Sequence, residues 1–89
     1  MVFGSAIGGI GMLLDGHKTL LERGPRRVSP FMLPHMLPDS ASGQVSIQYG
    51  LRGHNLAVVS ACATGGHAIG EAMEAIVRGQ ADLMLGAGT

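Results

Sequence analysis

Aromatic side chains are nearly absent from this chain, whose 89 residues include no Trp, one Tyr and two Phe. Rings therefore cannot fill a core, and 15 glycines and six methionines leave that task to small or flexible residues on closely approaching elements. Charge of one sign is missing too: six basic and six acidic residues give a net charge of zero and a pI near 6.9. That balance gives no footprint for nucleic acid or an anionic membrane surface. A single cysteine excludes an internal disulfide and fits a reducing, cytoplasmic setting. No apolar run approaches the ~20 residues of a membrane span. Met1-Val2-Phe3 lacks the basic start and cleavage site of a signal peptide. His17, His35, His54 and His67 are unevenly spaced with no paired Cys or carboxylate, so neither a metal site nor a cofactor is expected.

What is present is a run of periodic segments. Val2-Phe3 reads as a strand. The spacing of Ile10, Leu13, Leu14, His17, Leu20 and Leu21 predicts a helix from Gly8 or Gly9 to about Glu22, with His17 a core or boundary residue and Gly24-Pro25 ending it. Pro30, Pro34 and Pro38 rule out a long regular element between Val28 and Asp39, which reads as an irregular crossing segment. Asp39 or Ser40 is placed to cap a second helix reaching Tyr49, and its small residues suit tight packing. Leu56 to Ala61 and Asp82 to Ala87 read as strands buried on both faces. Between them, Ile69, Ala72, Met73, Ile76 and Val77 form one helical face, Glu71, Glu74 and Arg78 the other, and Gly79 the stop. Strand, corner, helix and strand make a right-handed βαβ unit in a parallel sheet. A dinucleotide fingerprint fails at Gly9-Ile10-Gly11-Met12-Leu13-Leu14, where Leu14 stands in place of the third glycine.

Cys62 falls on the corner of that unit, inside Val59-Ser60-Ala61-Cys62-Ala63-Thr64-Gly65-Gly66-His67. A lone cysteine on an apolar strand is most often buried and inert. A strand-to-helix corner offers more, because the unpaired N–H groups at a helix start stabilise an anion and the thiolate is the nucleophilic form of cysteine. The same N–H groups can hold a developing oxyanion. Ala61 and Ala63 leave room for a sharp turn, and Gly65 and Gly66 let the helix approach sheet and substrate. The arrangement is the cysteine analogue of a serine nucleophile elbow. His67 lies a turn into the helix and points away from the tip, so no Cys–His pair is expected.

The corner motif, with Gly4-Ser5-Ala6-Ile7-Gly8-Gly9, Gly24-Pro25-Arg26-Arg27-Val28-Ser29-Pro30-Phe31 and Tyr49-Gly50-Leu51-Arg52-Gly53, resembles the type II, chain-elongating β-ketoacyl-acyl-carrier-protein synthases. The resemblance covers essentially residues 1–89 and corresponds to only part of the first half of such a synthase, so the chain is expected to be a fragment of its N-terminal domain. It implies a thiolase-like, layered α/β fold. It also implies the activity: Cys62 accepts an acyl group from an acyl carrier protein, malonyl carrier protein loses carbon dioxide, and the carbanion attacks the thioester.

Residue roles follow from the same resemblance. Ile7 matches the family position lining the acyl channel. Phe31 and Met32 match a segment near the two-fold interface of a homodimer that reaches the partner's pocket. Arg26 and Arg27 match a basic pair near the carrier-docking face. The family's two catalytic histidines come from its later half, and none of the four here matches them. Ala6 stands where Gly is common, Asp39 where Asn is, and His54 where Pro is. The first narrows the implied channel; the others bear on loop and capping detail. A polyketide ketosynthase is the nearest alternative enzyme. A non-catalytic chain-length-factor-like partner is the alternative of another class, and retention of Cys62 argues against it.

Overall fold

A computed structural model describes all residues from Met1 to Thr89. Three short apolar or glycine-bearing stretches pair as a parallel sheet: β1 (Val2–Gly4), β2 (Leu56–Val58) and β3 (Gly86–Gly88). Their order is β2-β1-β3, with Val2 opposite both Leu56 and Gly86. The connection between β2 and β3 thus skips over β1, which is central. Two strands differ from the sequence expectation. The strand expected from Leu56 to Ala61 stops at Val58, because Ser60 and Ala61 already turn the chain. The last pairs at Gly86–Gly88 instead of Asp82 to Ala87, and Leu83 is 82% exposed.

Helix α1 (Ile10–Arg23) follows its periodicity, and Gly24 ends it by donating its N–H to the Leu20 carbonyl (3.1 Å). No residue of α1 is fully buried: α2 covers its apolar stripe only in part, and His17 is exposed, not a core residue. Within the proline-bearing segment a five-residue helix forms, α2 (Met32–Met36). Pro34 sits in its first turn, where no N–H is needed. Met32 folds its sulfur over Gly16, which joins α2 to α1.

Helix α3 (Ser40–Tyr49) begins after Asp39, but the Asp39 side chain makes no capping bond. Ser42 instead donates its hydroxyl to the Asp39 carbonyl (2.9 Å) and is fully buried. Asn55 Nδ2 donates to Ser46 Oγ (3.0 Å), fastening the far end of the helix to the link before β2. Phe3 of β1 lies in a pocket with Ser40 and Ala41, so the start of α3 covers part of one sheet face.

The other face is covered by α4 (Thr64–Val77), and here the sequence expectation is corrected. Its buried residues are Thr64, Ala68, Ala72 and Ala75, whereas Ile69, Met73, Ile76 and Val77 are exposed. The reason is the sheet surface beneath. A Cβ on Gly4 would lie 2.7 Å from the Thr64 carbonyl oxygen, one on Gly86 3.1 Å from the Ile69 Cα, and one on Gly88 2.5 Å from the Gly65 Cα. Only small helix residues fit against such a surface, and the large ones turn outward. The core is accordingly small, formed by Val2, Ala68 and Ala72 with Val58 and Met84 packed against it. Glu74 and Arg78 pair at 3.4 Å as their spacing predicts, an exposed bridge that contributes at most about 0.5 kcal/mol. Gly79 takes φ +72°, and Gln80 donates back to the Ala75 carbonyl (2.9 Å), closing the helix.

Much apolar surface stays open. The radius of gyration is 15.4 Å, where a compact chain of this length has about 12 Å. No helix is long and apolar enough to cross a membrane.

The backbone contact between Gly88 and Gly65 gives a direct expectation. Gly88→Ala inserts a methyl group where only main chain can yield, so it lowers stability by about 1–3 kcal/mol. Urea unfolding of the protein at its encoded length measures the loss, and an unchanged midpoint contradicts the contact.

Candidate active site

The turn from β2 into α4 is completed within a few residues because one of them is left-handed. Ala61 has φ +49°, the only non-glycine residue with positive φ in the chain. That conformation crowds a Cβ against the following carbonyl and disfavours any L-residue by roughly 1–2 kcal/mol. A methyl group is the smallest side chain that can occupy it, in line with the small neighbours expected of a sharp corner. Residues Ala61–Ala63 then form a single 3₁₀ turn that runs into α4 at Thr64. Cys62 therefore stands in the turn just before the helix, one step earlier than a helix N-terminus proper.

Its surroundings are open and small. Cys62 is exposed and in no disulfide, and it lines a cleft of about 530 Å³ with Ala6, Ala61, Thr64, Gly65, Gly88 and Thr89. The Ala63 N–H donates to the Ser60 carbonyl (3.0 Å) and the Thr64 N–H to the Ala61 carbonyl. The Cys62 N–H precedes both at the start of the turn and makes none of the turn and loop hydrogen bonds. A thiol and a free N–H on one residue, beside a cleft, are what attack on a carbonyl carbon and retention of its oxyanion require.

The corner is fastened from behind by two side chains. Thr64 Oγ1 accepts from the Ser60 N–H (2.8 Å) and donates to the Ala61 carbonyl (2.7 Å). His67 Nδ1 meets Ser60 Oγ: the side chain reaches back toward the corner, as helix side chains tilt toward the N-terminus, instead of pointing away from it, and it engages the serine and not the thiol. Gly65 provides the close approach expected of it, against Gly88, whereas Gly66 faces open space. No histidine lines the cleft.

Of the residues given a catalytic, substrate-binding or carrier-docking role from the sequence, the structure brings only Cys62 into this cleft, beside the small residues Ala6, Ala61 and Gly65. Ile7 lies in the loop after β1 with 67% of its surface exposed, while its neighbour Ala6 forms part of the cleft wall. Phe31 is 63% exposed with its ring 6.3 Å from that of His35. Met32 is half-buried against α1. Arg26 and Arg27 are exposed in a 3₁₀ turn after α1, and neither is in an ion pair. Sequence reasoning missed Thr64, Gly88 and Thr89. Thr64 had a readable signal, a hydroxyl residue at the first position of a helix, and Gly86-Ala87-Gly88 had one in its alternating glycines.

With that geometry in view, likeness to known proteins is informative. The family model for the N-terminal domain of β-ketoacyl synthases matches residues 1–89. The 3-oxoacyl-[acyl-carrier-protein] synthase 2 of Staphylococcus aureus is 54% identical over 86 residues, which are 97% of this chain and 21% of that protein. The enzyme of the same name from Rhizobium meliloti (strain 1021) is 51% identical over 89 residues, again 21% of its length. This chain thus spans about a fifth of the curated relatives it matches. Among solved structures, the ishigamide ketosynthase/chain length factor superposes with a TM-score of 0.81 at 23% identity, over 90% of this chain and 23% of that one. That likeness bears on the fold, which is the thiolase-like α/β arrangement expected. Because the family model spans every residue and about half are identical in the curated relatives, the chain belongs to the β-ketoacyl synthase family, within its N-terminal domain.

Proposed function

We propose that the protein bearing this chain is a 3-oxoacyl-[acyl-carrier-protein] synthase that elongates fatty acyl chains, with Cys62 as the acyl-accepting nucleophile. The observation that carries the proposal is the exposed thiol, presented by a left-handed corner with its own N–H free, in a chain 54% identical to a synthase of that name. Cys62 Sγ attacks the thioester carbonyl of an acyl carrier protein, and the Cys62 N–H steadies the oxyanion. The carrier leaves as its free thiol, taking the proton lost from Cys62. Malonyl carrier protein then loses carbon dioxide, and the resulting carbanion attacks the Cys62 thioester. The carbon–sulfur bond breaks, Cys62 leaves as its thiolate and recovers a proton from solvent, and the carrier holds a β-ketoacyl chain longer by two carbons. No group of this chain is assigned to the decarboxylation.

The remaining roles belong to the same proposal. Ile7 borders the acyl channel beyond Ala6, its exposed side chain being one residue from the cleft wall. Phe31 and Met32 lie near the interface of a homodimer, and the uncovered Phe31 ring suits that position. Arg26 and Arg27, exposed and unpaired, steer an acidic carrier protein. The same proposal puts the protein in the cytoplasm, a reading supported only by its single cysteine, which suits a reducing compartment. A polyketide ketosynthase shares all this chemistry, and the likeness to the ishigamide protein is one of fold alone at 23% identity.

Three outcomes test the reading. Cys62→Ala abolishes acyl transfer and condensation with acyl and malonyl carrier proteins, assayed by carbon dioxide release and product mass; condensation that survives the change removes the nucleophile assignment. Ile7→Phe adds volume where a long acyl chain must pass and lowers kcat/KM for long-chain substrates by about tenfold while sparing short ones; equal loss at every length points to misfolding. The double change Arg26→Glu, Arg27→Glu lowers kcat/KM for carrier-bound substrate by about tenfold at low salt, less at high salt, and leaves a small thioester mimic unaffected. Unchanged carrier kinetics return the pair to ordinary solvated surface.

A further inference from the structure

We propose that Thr64 is the positioning residue for the Cys62 thiol, an assignment that rests on the acyl-transfer reading above. Thr64 is 2% exposed, and its hydroxyl and its methyl group are both engaged. The single hydroxyl proton goes to the Ala61 carbonyl (2.7 Å), and a lone pair takes the Ser60 N–H (2.8 Å). The methyl group lies against Gly4 of the central strand, where no Cβ could be accommodated. One side chain thereby ties β1 to both ends of the Ser60-Ala61 segment.

That segment is where the chain needs holding. Ala61 at φ +49° is disfavoured by its own sterics, and it is the residue whose dihedral angles set the direction of Cys62. Without the clamp, Ala61 relaxes toward right-handed or extended backbone, and both the thiol and the Cys62 N–H swing away from the cleft. Thr64 makes no hydrogen bond to the thiol, so it acts through Ala61. His67 adds an outer hold on the Ser60 hydroxyl. Valine has the shape of threonine without the hydroxyl, and serine has the hydroxyl without the methyl, so the two substitutions separate the clamp from the packing.

The test uses the protein at its encoded length and single-turnover acylation of Cys62 by an acyl carrier thioester. Thr64→Val is expected to lower the acylation rate about 10- to 100-fold with KM for the carrier unchanged, since small misplacements of reacting groups cost that much. Thr64→Ser is expected to retain a rate near that of the unmodified protein. A Thr64→Val protein that acylates normally overturns the proposal, as does a Thr64→Ser protein that loses as much as Thr64→Val. Amide hydrogen exchange at Ser60 provides the second measurement, independent of chemistry and of whether Thr64→Val folds. Slow exchange in the unmodified protein, retained in Thr64→Ser, supports the clamp, and rapid exchange overturns it. Failure of the unmodified protein to acylate at all, with the Ser60 amide protected, counts against the acyl-transfer reading and leaves the clamp standing.

Discussion

The small size of the groups that meet between the start of α4 and the sheet governs the geometry of this chain. Gly4, Gly86 and Gly88 present bare backbone to the helix, and Gly65, Ala68 and Ala72 answer with bare backbone or a methyl group. Two rigid elements are thereby brought into main-chain contact, a separation at which a single added methyl group must displace one of them. The beginning of α4 is fixed against the ends of β1 and β3 as a result. Thr89 donates its N–H to the Gly4 carbonyl (2.9 Å), which continues that registry to the cleft wall opposite Cys62.

Reactivity follows from that closeness. A helix lying so near the sheet leaves little room for a connecting loop, and the chain completes the corner with one left-handed alanine and a 3₁₀ turn. The residue after the strained one is delivered outward, with its thiol exposed and its N–H unpaired. Strain at a single residue is tolerable because the structure on both sides overdetermines it: β2 pairs with β1 before it, and α4 packs on β1 after it. The outer faces of α1 and α4, with Leu14, Leu21, Ile69 and Val77 each more than half exposed, take no part in this arrangement.

Periodicity in the sequence located α1 within a residue or two and the body of α4 from Ile69 to Val77, a capping residue placed α3, and the change of pattern marked Cys62 as the corner residue. It misassigned the buried face of α4, because hydrophobic patterning takes the largest apolar residues to point at the nearest layer. That logic fails where the layer is glycine, since steric room and not transfer free energy then selects what faces it. The same blindness displaced β3: the apolar Leu83, Met84 and Leu85 drew the expected strand toward Asp82, yet Gly86, Ala87 and Gly88 pair with β1, and the two glycines receive α4. The five-residue α2 is too short to carry a period. Within the site, Cys62 was legible from its setting, whereas Thr64 acts through hydrogen bonds to backbone, which composition does not reveal. Ile7, Phe31, Met32, Arg26 and Arg27 came from resemblance, and this chain alone does not gather them around the thiol.

The central claim is that an acyl group is carried on the sulfur of Cys62. Peptide mapping by mass spectrometry, after brief incubation of the protein with an acyl carrier thioester and acid quench, tests it most directly. The account predicts one acyl mass increment confined to the peptide containing Cys62 and removed by neutral hydroxylamine, as a thioester must be. An increment on any other residue, or one on Cys62 that resists hydroxylamine, would contradict it.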